Sequence, residues 1–181
     1  MKQNVKIATK EKRGDNTFAT EKEKDMNEIS FIITREDIYK RIFASSAYTA
    51  RAREAMGIPQ SIVERMLLTP DDKEIIVPMI ENSVNEVLTD ISRYHQESSV
   101  TFTNAEGTAH YRFNINTPDN YPSENGEKLR QSVESYIVNR TLQNWYTDIK
   151  PDEASIVAAK TQNDAANIRM LLIQRRKPSK L

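Results

Sequence analysis

Apolar residues recur along most of this chain at intervals of three and four, the spacing of one helix face, and at intervals of two in one central stretch. The first helix is announced by Thr34-Arg35-Glu36-Asp37, where the threonine can cap free amides and the acids suit the positive end of the helix dipole. Ile38, Ile42 and Phe43, then Ala47, Ala50 and Ala55, supply its apolar stripe. Gly57 is a natural stop, and Pro59 opens a short second helix to about Leu68. Thr69-Pro70-Asp71-Asp72 is the strongest helix start in the chain. Ile76, Ile80, Val84, Val87, Ile91 and Tyr94 follow it on one stripe, and Pro78 predicts a kink or break near Val77.

The period then changes. Ser99 to Thr103 is β-branched and aromatic, and Ala109, Tyr111, Phe113 and Ile115 alternate on one face. The turn residues Asn104-Ala105-Glu106-Gly107 lie between, which predicts a β-hairpin over about residues 99–115. A fourth helix begins near Glu127, with Leu129, Val133, Ile137, Thr141 and Trp145 every four residues and Val138 and Leu142 widening the face. Pro151-Asp152-Glu153 opens a last helix whose core face is Ala154, Val157, Ala158, Ala165, Ile168, Leu171 and Leu172. The expectation is a mainly α fold, a helical bundle of four to five helices with one inserted β-hairpin. It spans residues 28–177, with a short tail at 178–181.

Residues 1–27 stand apart. They hold seven Lys/Arg and five Asp/Glu, with Val5, Ile7 and Phe18 at no sustained period. Such a segment cannot offset its own ordering entropy, so it reads as a disordered tail or as an arm ordered along a partner. Lys+Arg and Asp+Glu balance at 26 each, so no global field directs the chain to nucleic acid or to a membrane. The longest apolar runs, Ile75–Val77 and Met170–Ile173, are far short of the roughly 20 residues that span a bilayer. Cysteine is absent, which removes disulfides and thiolate chemistry and suits a reducing compartment.

The search for chemistry yields little. His95 and His110 fit no metal-ligand spacing, and Gly14, Gly57, Gly107 and Gly126 are too scattered for a nucleotide fingerprint. Helix capping accounts for Asp71, Asp72 and Glu74, while Glu81, Glu86 and Asp90 fall off the apolar stripe and read as solvated. Tyr136, Trp145 and Tyr146 form an aromatic cluster that one helix face cannot hold entire, with Trp145 on the apolar stripe. Arg175, Arg176 and Lys177 suit the negative end of the last helix and are candidate phosphate or partner contacts. No catalytic, cofactor-binding or metal residue is assigned, and a non-enzymatic role is expected.

The order of elements carries the remaining clue. A helix written LLTPDDKEIIVPMIENSVNEVLTDISRYH leads into the hairpin, and a helix ending ESYIVNRTLQNWYTDI comes next. Over about residues 66–147 this resembles the head–tail connector (head-completion or adaptor) proteins of tailed bacteriophages. The 1–33 extension and the final helix depart from that family. The resemblance implies a structural virion protein, assembled in the host cytoplasm as a homo-oligomeric ring that joins the portal to other head–tail proteins. It implies no cofactor and no membrane, with nucleic acid met only as passing DNA. The hairpin residues Val100, Phe102, Tyr111 and Phe113 become candidate subunit contacts. The competing expectation is a small helical regulatory or nucleic-acid-binding protein, with an enzyme using carboxylates on a helical scaffold the least supported.

Overall fold

Thr34 does two jobs: it ends a strand and caps a helix. In the computed structural model, which describes residues 6–8, 27–94, 101–103, 109–118 and 120–175, β1 is Lys6–Ala8 and β2 is Asn27–Thr34. The helix α1, Arg35–Ala55, starts where Thr34 Oγ1 accepts the Asp37 amide at 3.1 Å. It stops at Met56, followed by Gly57 at φ +80°, a left-handed conformation that suits glycine. Next come α2, Gln60–Met66, and a single 3-10 turn, Pro70–Asp72. Asp72 Oδ2 accepts from the Thr69 amide and hydroxyl, both at 2.8 Å, in a capping box.

The helix α3, Lys73–Asp90, buries Ile76, Ile80, Val84 and Val87, with Ile91 buried just beyond its end. No break occurs at Pro78. The proline sits near the start of α3, so the carbonyl it frees belongs to exposed Glu74 in the first turn, where water can satisfy it. Then follow β3, Thr101–Thr103, and β4, Ala109–Thr117, paired antiparallel as the predicted hairpin. The chain closes with α4, Asn125–Thr147, and α5, Pro151–Ile173. The fold is mainly α, with five helices among the described residues.

The hairpin belongs to a larger sheet of order β1-β2-β4-β3, antiparallel throughout. The strand β2 is an addition to the sequence reading, and its signal was present as Ile29, Phe31 and Ile33 at period two. These residues face Ile115, Phe113 and Tyr111 of β4, and the Phe31 and Phe113 rings stack at 5.2 Å. All six are buried on one sheet face, which packs on α1 and α4. Burial of each such side chain contributes roughly 1.5–3 kcal/mol before entropy is charged, so a face of six dominates the sheet's stability.

The helix α4 is central, touching α1, α3, α5 and β2. Leu129, Val133, Ile137 and Thr141 are buried as the stripe predicts. Tyr136 and Tyr146 are buried too, and Trp145 is half-buried with its indole N–H donating to the Met66 carbonyl at 3.3 Å. The three aromatics therefore all find packing. The reason is that α4 has neighbours on most sides, so its packed surface is wide enough to take all three.

Candidate interaction surfaces

Charged groups expected to be solvated instead fasten one element to another. Glu81 of α3 is half-buried, accepts the Tyr111 hydroxyl of β4 at 2.8 Å and pairs with Arg35 of α1 at 3.5 Å. Burial, and then the hydrogen bond to Glu81, raise the Tyr111 hydroxyl far above the ordinary phenol range. It remains a fixed donor at any physiological pH. Glu86 of α3 receives both forks of Arg140 of α4, at 2.6 and 2.9 Å, and Asp90 receives Arg169 of α5 at 2.8 Å. Glu81 and Glu86 are half-buried rather than solvated, whereas Asp90 is exposed as expected; the cations of the three lie 46, 54 and 79 residues away in sequence, beyond the reach of local pattern.

Two buried carboxylates are handled the same way. Glu134 of α4, only 7% exposed, takes Arg130 of its own helix and Arg41 of α1, both at 2.9 Å. Glu153 of α5, 5% exposed, takes the Arg53 Nε at 2.6 Å, which ties α5 to α1. A buried carboxylate is costly unless paired and hydrogen-bonded, and both are. Such groups are already committed to one another and hold the bundle's geometry.

Beside the Glu81 cluster lies an open cleft of about 360 Å³ between the starts of α1 and α3 and β4. Lys73 sits over the Tyr39 ring at 5.4 Å there, with Glu36 and Glu74 on the walls. Charges of both signs share this small, open space. A second groove of about 440 Å³ runs between Trp145 and Ile149 on one wall and Leu67 and Thr69 on the other.

The sequence-predicted residues part company. Tyr111 and Phe113 are fully buried in this chain's own core, which withdraws them as subunit contacts. Their burial follows from the sheet face that carries them packing on the helices α1 and α4. Phe102 lies on β3, an edge strand, whereas Val100 lies outside the described residues. Arg175 is exposed two residues beyond the end of α5, and Arg176 and Lys177 lie outside the described residues, as does His95. His110 is half-buried on β4. Among the described residues no three His, Asp or Glu gather as a metal-holding group, and no helix is long and apolar enough to cross a membrane.

Two surfaces escaped the sequence reading. One is the outer edge of the sheet, filled by β1 through the register Lys6–Ser30, Ile7–Ile29 and Ala8–Glu28. The other is the outward face of α5, where Ile156, Met170 and Ile173 are 45%, 56% and 63% exposed. The signal for the second was in the sequence but masked, because the inner stripe of α5 already satisfied the amphipathic pattern. Comparison with family models, curated proteins and solved structures finds no match.

Proposed function

We propose that this chain is a mechanical, non-catalytic protein of a tailed phage, which closes into a ring of its own copies and joins the portal to the tail. The order of α3, hairpin and α4 supports the reading, since it is the pattern that carries the resemblance to head–tail connectors. The single observation that carries the ring is the attachment of β1. This strand fills a sheet edge with three residues of pairing, yet residues 9–26 separate it from β2. Antiparallel neighbours need only two to five connecting residues. A connection of that length reaches up to about 60 Å when extended, enough to deliver β1 to the same edge of a neighbouring copy. Passed head to tail, such an arm closes a ring, and the main-chain bonds are the same within or between chains.

The test uses a disulfide placed across the register pair, Lys6→Cys with Ser30→Cys, in a chain without native cysteine. Exchange predicts a ladder of covalent multimers on a non-reducing gel, and rings that bind purified cognate portal under the electron microscope. A disulfide confined to single chains, with no portal binding, would overturn the reading.

A further inference from the structure

The helix α5 carries two stripes on opposite sides. The inner one, including Val157, Ile168 and Leu172, is buried against the bundle. The outer one is Ile156, Ala159, Asn163, Ala166, Met170 and Ile173, and every member is exposed. Its intervals are three, four, three, four and three, a heptad seam sustained for about 26 Å of helix. At 100° per residue its centre lies opposite the buried stripe, so the rest of the chain faces away from it.

We propose that this seam is a docking surface for the α5 of a second copy, parallel and in register about a two-fold axis. Asn163 chooses the occupant. An apolar partner helix would bury its amide with nothing to bond, and an antiparallel copy would set it against Ala166. On a parallel two-fold, Asn163 meets the Asn163 of the second copy, donor to acceptor, the arrangement that fixes register in paired helices.

The flanks agree with self-pairing. In the parallel register, Ser155 faces the second copy's Lys160, and Gln162 its Asn167. No like charges oppose one another. Arg169 is already paired with Asp90 of its own chain, which leaves no demand for an acidic partner. Ala159 and Ala166 allow close approach of the backbones, while Ile156, Met170 and Ile173 supply the knobs. Because α5 is already held on α4, docking does not bear the cost of forming a helix. This contact is two-fold and self-complementary, whereas arm exchange is head to tail, so neither depends on the other.

The full-length chain with Ala166→Cys tests it, since any disulfide must then join two copies. The seam predicts a covalent dimer under mild oxidation, and Met170→Glu added to it should cut the dimer yield at least about tenfold by burying a charge. Met170 is exposed, so at concentrations where the chain is single a circular-dichroism melt should be unchanged by that substitution. Multimers from the Lys6→Cys/Ser30→Cys pair should persist with Met170→Glu present, which separates failure of the seam from failure of the ring. Absence of the Ala166→Cys dimer would overturn the proposal. So would preferential joining of Ala159→Cys chains to Met170→Cys chains, the mark of antiparallel pairing.

Discussion

The helices α4 and α5 have the same length, 23 residues each, and pack as a hairpin, with Asn125 at the start of one bonded to Gln174 after the end of the other at 2.8 Å. Their surroundings differ. The inner helix α4 is enclosed by α1, α3, α5 and the sheet, and buries residues over much of its circumference. The outer helix α5 buries one stripe and presents a second, equally regular one to solvent. Folding accounts for every apolar residue named on α4 but for only half the pattern on α5. The stripe that folding does not use is the surface we propose for a second copy.

The comparison breaks most readily in the core. Ile137→Ala on α4, at a fully buried site, should cost about 2–5 kcal/mol in urea unfolding. Ile156→Ala on the outer face of α5 should cost under about 0.5 kcal/mol at concentrations where the chain is single. Equal costs would mean that the outer stripe belongs to the fold. Next in size is Glu134→Ala, which strips one carboxylate from two guanidinium groups. Because Arg41 is well exposed, the expected loss is about 1–2 kcal/mol rather than that of a fully buried pair. Lys160→Ala, on α5 at the edge of the seam, should leave monomer stability unchanged by the same measurement.

The smallest effects separate the two helices by sign. Arg130 beside Glu127, at the start of α4, holds its carboxyl below the ordinary value. Its stabilising contribution is therefore present above that value and lost as pH falls through the lowered one. Burial pushes the Asp164 carboxyl of α5 up, although Asn139 donates to it at 2.7 Å. A raised acid works the other way: stability is favoured below its unfolded value and lost as pH rises through the folded one. Asp164→Asn should thus raise the melting temperature by roughly 1–3 °C at neutral pH, and the gain should vanish near pH 3. Glu127→Gln should lower it slightly at neutral pH and do nothing in acid. Thermal melts at the two pH values check both signs.

Much of this architecture could be read before any coordinates, because its determinants are local. The Thr34 cap, the Thr69-Pro70-Asp71-Asp72 start and the stripe from Ile76 to Ile91 each act within a few residues. The alternation of Ala109, Tyr111, Phe113 and Ile115 likewise located β4 and its buried face. What stayed hidden was set at a distance. Glu28–Ile33 alternates as well, but it runs straight into the α1 cap and follows a charged segment, and its pairing strand lies some eighty residues on. Tyr111 and Phe113 read as contact residues on a lone hairpin, but the face that carries them is widened by β2 and packed on α1 and α4, which buries both. The outer stripe of α5 was legible in its spacing, but only knowledge of which stripe is buried shows that the other is free.

The central claim is that this chain works by assembling with itself. Static light scattering of the purified full-length protein across a dilution series tests it most directly. The account predicts a mass several times that of one chain, falling toward the dimer and then the single chain on dilution. A single-chain mass maintained up to about 100 µM, weaker than any contact that could hold an assembly, would contradict it.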